Sequence, residues 1–181
     1  MSEIIAKPEL LLIAGQQQNV GKTTLACNII SRFSREYKIV ALKVSPHIHK
    51  NTGAAKIIAQ GPGYSILEET STDTNKDTSR MLKSGAEKSF FVQSEQTSLN
   101  EALKACLESL EPDCLIVCES AGVREYIKPG VFLMLRQLYC KVCSVADDEL
   151  FKQADRIVTF TVNGFDIAMD EIKVENGKWI V

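Results

Sequence analysis

The chain has 181 residues, is 45% hydrophobic and 24% charged, and carries a formal net charge of −2. These values suit one soluble α/β-sized domain, residues 1–181, large enough to bury a real core. They give no global drive toward nucleic acid or an anionic membrane, and no apolar stretch approaches the ~20 residues of a membrane span.

Residues 1–9 read as a short leader. They include Glu3, Lys7 and Pro8 and lack the long apolar core of a secretory signal, so the cytoplasm is the default location. Residues 10–14 form a continuous apolar run, as expected of a strand buried on both faces of a parallel sheet. Next comes Gly15-Gln16-Gln17-Gln18-Asn19-Val20-Gly21-Lys22-Thr23-Thr24, and then a helical pattern over residues 22–35. Strand, glycine-bearing turn and helix form the context of a phosphate-binding loop. Backbone N–H groups from Gly15, Asn19, Val20, Gly21, Lys22, Thr23 and Thr24 would cradle phosphate at the positive end of the helix dipole. The Lys22 ammonium would lie on the β- and γ-phosphates of GTP or ATP, and the Thr23 hydroxyl would ligate Mg²⁺. The spacing is G-x5-G-K-T. The usual first glycine position holds Gln16, which leaves open a degenerate loop that no longer binds nucleotide.

Residues 38–44 form a second strand, which Pro46 prevents from continuing as an interior ladder member. Lys43, Ser45, His47 and His49 therefore emerge at a carboxyl strand end, the edge where open α/β sheets bind ligands. His47 and His49 are the chain's only histidines. They read either as a solvated polar loop or as contacts to substrate phosphate or a metal.

Residues 53–60 read as a short helix stopped by Gly61-Pro62-Gly63, and residues 64–69 as a strand. A polar turn over 71–77 precedes a helix at 76–84, with Asp73 or Asp77 as its cap and Gly85 past its end. Residues 87–93 read as a strand. Ser98 and Glu101 have the spacing of a capping box for a helix reaching Leu110.

Residues 113–119 form another strand, apolar through Leu115, Ile116 and Val117 and ending in Glu119. A carboxylate there can lie opposite the phosphate loop and hold Mg²⁺ or orient the attacking group. Ser120-Ala121-Gly122 would let backbone approach a ligand closely. Residues 123–130 read as a loop, 131–135 as a strand, 142–145 as a short strand, 147–154 as a helix and 156–162 as a strand. Asn163, just past that strand, is a candidate reader of the base. Alternation around Asn176-Gly177 marks residues 165–181 as a hairpin that either adds an antiparallel edge or offers a partner surface.

Six cysteines are present. Cys114 and Cys118 on one strand would be about 13 Å apart, too far to share an ion. Cys140 and Cys143 form a C-x-x-C with no second pair. Reduced buried thiols or a zinc or redox site are the two readings.

The loop from Gly15 to Thr23, the Lys43 strand end and Glu119-Ser120-Ala121-Gly122 resemble a P-loop group. The group comprises dethiobiotin synthetase, cobyrinic acid diamide synthetase and the molybdopterin-guanine dinucleotide biosynthesis protein B family. The loop spacing is similar to dethiobiotin synthetase, and Lys43-Val44-Ser45-Pro46 to the cobyrinic enzymes. The resemblance is closest to the molybdopterin family, through Lys43 followed by His47 and His49 and through the stretch from Asp77 to Ala86. It spans about residues 10–135 and departs from that family at Gln16 and Ser120. It implies a three-layer, doubly wound, mostly parallel α/β sheet and a Mg²⁺-dependent GTP-binding accessory protein. That protein would assist nucleotide attachment to the molybdenum cofactor, with an enzyme of that pterin cofactor as partner, and would form a homodimer. Lys22, Lys43 and Glu119 would then carry any catalysis, as a slow NTPase with Arg124 as the best finger arginine. The alternative within the group is an ATP-dependent enzyme that activates a carboxylate or carbamate, with Lys43 on the substrate acid.

Overall fold

The computed structural model describes residues 4–15, 20–48, 55–137 and 145–181. In strand β1 (Ile5–Gly15), Leu10, Leu11, Leu12, Ile13 and Ala14 are fully buried. Such a strand needs cover on both faces, which parallel neighbours inside a layered sheet provide. Strand β6 (Leu115–Glu119) pairs with it on one side and β7 (Ile127–Gln137) on the other, both parallel.

The sheet extends outward from this centre. Strand β2 (Ile39–Ser45) pairs parallel with β6, and β5 (Lys88–Ser94) parallel with β2. On the other side β8 (Arg156–Thr161) pairs parallel with β7. Antiparallel strands close both edges: β3 (Lys56–Gly61) and β4 (Tyr64–Glu68) beside β5, and β9 (Gly164–Phe165) beside β8. The order is β3-β4-β5-β2-β6-β1-β7-β8-β9.

Alternation along the strands sorts the core into two layers. Leu11, Ile13, Ile39, Ala41, Val117 and Leu133 face helices α1 (Lys22–Phe33) and α2 (Asp77–Lys83). Leu10, Leu12, Val40, Leu42, Ile116 and Phe132 face α3 (Leu99–Glu108) and α4 (Val145–Gln153). Helix α3 meets the sheet through Leu99, Ala102, Leu103 and Cys106, an i, i+3, i+4, i+7 stripe. The chain is thus an α/β protein whose large, mostly parallel sheet carries helices on both faces.

Several expectations are corrected. The expected leader is partly strand, because β1 begins at Ile5 and pairs with Ile127. The register with β7 shifts between Lys7 and Leu11, around Pro8, which has no N–H to offer. Gly130 sits opposite, and a Cβ there would run into the Pro8 carbonyl. Residues 127–130 are correspondingly strand rather than loop.

The expected helix at 53–60 is strand β3 over its described part. Gly61 pairs with Tyr64, so Pro62-Gly63 is a two-residue turn with Gly63 at φ 75°, and its glycine supplies the positive φ that the turn requires. Helix α1 ends at Phe33, not Arg35. Neither Asp73 nor Asp77 caps α2, since Lys76 holds that position. Ser98 ends a 3₁₀ turn, Gln96–Ser98, and makes no side-chain cap bond, so the capping box does not form. Asp113 lies before β6 in a left-handed turn at φ 66°. Residues 142–144 of the expected strand and the Cys140–Cys143 pair lie outside the described residues, and Val145, expected in that strand, opens α4.

The hairpin at Asn176-Gly177 forms as β10 (Lys173–Glu175) and β11 (Lys178–Ile180), with both turn residues at positive φ. It does not extend the main sheet. It makes a separate two-stranded sheet whose Trp179, 1% exposed, packs edge-on against Phe33 at 5.1 Å. The pair closes the α1 face of the core.

Candidate functional site

The site follows from the same alternation. Lys43 continues the Ile39–Ala41 side of β2, and Glu119 the Leu115–Val117 side of β6. Register aligns Ile13, Glu119 and Lys43 across three adjacent strands. Both polar side chains therefore emerge at the carboxyl edge, on the face where α1 and α2 begin.

Helix α1 starts after Gly21, whose φ of 93° is left-handed, so glycine is required. The turn aims the first N–H groups of α1 at the strand edge and sets Thr23 above β6. Thr23 Oγ1 donates to Glu119 Oε2 at 2.7 Å. Lys43 Nζ donates to Glu119 Oε1 at 2.5 Å and forms an ion pair with Asp77 Oδ2 at 2.9 Å. Asp77 in turn faces Arg80 at 3.8 Å, and Arg80 Nη2 donates to Thr24 Oγ1 at 3.2 Å. One polar chain thus links the starts of α1 and α2 to the ends of β2 and β6.

Glu119 is 2% exposed, so its charge requires these partners. Burial disfavours the charge on Lys43, but Glu119 and Asp77 outweigh it and hold the ammonium above the usual lysine range. Burial likewise opposes charge on Asp77, yet Lys43, Thr23 and Arg80 hold its carboxyl below the usual range. Lys22 is pushed down, chiefly by burial, with Glu119 acting in the opposite sense.

These groups line a cleft of about 760 Å³. Its walls include Gly15, Gly21, Lys22, Thr23 and Thr24 from the loop and α1. Lys43, Ser45 and His47 come from the end of β2, Glu119, Ser120 and Ala121 from the end of β6, and Phe160 from β8. Of the residues expected at the site, these stand together. Val20 is buried, 1% exposed, with its methyl group filling the space over Gly15. Asn163 is exposed at the turn between β8 and β9 and is not among the described cleft residues. Arg124 is not among them either. Gln16, Asn19 and His49 lie outside the described residues.

Asp77 and Arg80 enter the site unexpectedly. The sequence offers Asp77 as a helix cap and as the start of the stretch to Ala86, but not as a partner of Lys43. The signal available is an acidic and a basic residue three apart in the first turn of a helix, with Asp77 immediately after the cap residue Lys76. The preceding loop, residues 70–76, is anchored by buried Glu69. Glu69 accepts bonds from the N–H groups of Thr70 and Ser71 and from the Thr78 hydroxyl. This anchoring fixes where α2 begins and hence where Asp77 stands.

The donor set suits a hard divalent cation. Thr23 and Glu119 offer a hydroxyl and a carboxylate in contact, with Asp77 close by, and all are oxygen ligands. Among the described residues no cluster of three or more His, Cys, Asp or Glu groups could itself enclose a metal. A cation here would therefore need oxygens from a second ligand, as Mg²⁺ does with phosphates. No described helix is long and apolar enough to cross a membrane. Comparison with known proteins finds no matching family model, no matching curated protein and no matching solved structure.

Proposed function

We propose that the chain is a P-loop protein that binds a nucleoside triphosphate with Mg²⁺. The nucleotide is GTP, and the protein acts as an accessory to nucleotide attachment on the molybdenum cofactor, in keeping with the family it resembles. The observation that carries the nucleotide reading is the Thr23–Glu119 hydrogen bond beneath the start of α1, with Lys22 in the same cleft. Hydroxyl, carboxylate, lysine and helix N-terminus converge there as triphosphate chemistry requires.

In this reading Lys22 and the first N–H groups of α1 hold the β- and γ-phosphates. Thr23 and Glu119 hold the Mg²⁺, which neutralises charge on those phosphates. Lys43 balances the buried charge of Glu119 and orients its carboxylate. Among the described residues Arg80, rather than Arg124, is the arginine that lines the cleft, and its guanidinium is tethered to Thr24. An arginine already engaged by Asp77 and Thr24 contributes little to the hydrolytic transition state, so turnover is slow without a partner.

A second reading draws on Lys43, Ser45 and His47 lining one end of the same cleft. A substrate carboxylate there would make the chain an ATP-dependent acid-activating enzyme similar to dethiobiotin synthetase. Competition of unlabelled ATP and GTP against a labelled nucleotide, with Mg²⁺ present, separates the two. Tighter GTP binding supports the accessory reading. Tighter ATP binding moves the assignment to the acid-activating enzyme. Binding of neither would make the loop a degenerate one, with Gln16 as the first suspect.

A further inference from the structure

Phe160 is a large apolar side chain that stays 42% exposed at the end of β8, on the cleft wall. Its ring rests on Phe165 of β9, with centroids 4.8 Å apart and planes at 40°. Both rings lie against the Gly21 backbone: a Cβ on Gly21 would meet Phe165 at 3.2 Å and Phe160 at 3.4 Å. The β8–β9 turn holds this pair in place, with Thr161 Oγ1 donating to the Gly164 carbonyl and accepting the Asn163 N–H. A backed aromatic ring thus lies beside the phosphate loop with much of its surface open to the cleft.

Strand order gives the direction. The carboxylate and lysine that attract the terminal phosphate and its cation lie on β6 and β2, to one side of β1. A triphosphate held at the start of α1, with its terminal phosphate toward Glu119 and Lys43, leaves its nucleoside on the other side, over β7 and β8. Phe160 stands there; among the described residues of the cleft it is the one Phe, Tyr or Trp, and His47 lies at the end of β2 on the opposite side of β1.

We propose that Phe160 is the nucleobase platform of this site: the base stacks on its ring, with Phe165 as backing. The inference rests on the nucleotide reading above and deepens it. It replaces Asn163 as the base-contacting residue and assigns affinity for the base to stacking. Stacking favours the larger purines and discriminates weakly between guanine and adenine, since every base has a π-face.

The test compares wild type, Phe160→Leu and Phe160→Tyr in titrations with GTP and with inorganic tripolyphosphate, both with Mg²⁺. Leucine keeps the apolar packing on Phe165 and Gly21 but removes the ring; tyrosine keeps the ring. The expected result is a loss of roughly tenfold in GTP affinity for Phe160→Leu and near wild-type affinity for Phe160→Tyr. Tripolyphosphate affinity should be the same in all three proteins. Unchanged GTP affinity in Phe160→Leu would overturn the proposal while leaving the phosphate loop intact. So would an equal loss for tripolyphosphate, which would mean that Phe160 only shapes Gly21. If wild type bound neither ligand, the nucleotide reading would fall and this proposal with it.

Discussion

Thr23 Oγ1 lies 2.7 Å from Glu119 Oε2, although the two residues are 96 positions apart. The contact exists because β6 is hydrogen-bonded directly to β1, whose exit leads into α1. It joins the two oxygen donors that a Mg²⁺–phosphate complex would use. Glu119→Gln keeps the shape and an acceptor for Thr23 but removes the anionic donor. Affinity for Mg²⁺ in the presence of nucleotide should fall roughly tenfold or more, while Mg²⁺-free nucleotide binding persists. Mg²⁺ titrations at fixed nucleotide read this directly.

Lys43 shields the buried Glu119 charge. Its removal in Lys43→Ala leaves a carboxylate that is 2% exposed without its closest cation. The expected cost is about 3 kcal/mol in denaturant unfolding. Adding Glu119→Gln should recover most of that loss, because the second change removes the stranded charge. A double variant no more stable than Lys43→Ala would show that Lys43 acts through packing instead.

Cys106 supplies a pH signature away from the cleft. Burial against the sheet pushes its thiol up to about 12. In the unfolded chain a thiol ionises near pH ~8.5. Between these values the folded state keeps a proton that the unfolded state has lost. The stability from this group is therefore full below the lower value and declines as pH rises, by about 1.4 kcal/mol per pH unit. Unfolding measured through that alkaline window should show a shallower decline for Cys106→Ala than for wild type. The same burial predicts that Cys106 reacts with thiol reagents only on unfolding.

The C-terminal hairpin is a core element. Trp179→Ala should cost about 3–5 kcal/mol, since it removes a fully packed side chain from against Phe33. The chain has one tryptophan, so its emission reports this site alone. Wild type should emit as a buried indole and shift to the red in a single transition with denaturant. A red-shifted native spectrum would contradict the packing.

What could be read in advance follows from how local each signal is. The run from Leu10 to Ala14, the Gly-Lys-Thr at a helix start and the apolar strand ending in Glu119 are each carried by a few adjacent residues. They located the centre of the sheet and most of the cleft. The stretch around Ile57 and Ala59 failed because alanines mixed with isoleucines fit either period, and its strand pairing comes from the Pro62-Gly63 turn. Asn176-Gly177 marked a hairpin but not its place, since Trp179's destination is a non-local packing fact. Asn163-Gly164 carries the same turn signal, but only the two residues Gly164 and Phe165 pair back onto β8, too short a run to show the β8–β9 hairpin or the place of Phe160 by alternation. Asp77 and Arg80 were missed because their partners Lys43 and Thr24 lie 34 and 56 residues away, by numbering.

The most direct test of the nucleotide reading is calorimetric titration of GTP into wild type and Lys22→Ala, each with and without Mg²⁺. The account predicts saturable binding to wild type that Mg²⁺ strengthens, and its loss in Lys22→Ala with the folded state intact by circular dichroism. Equal binding by the two proteins, or none by wild type in Mg²⁺, would contradict it.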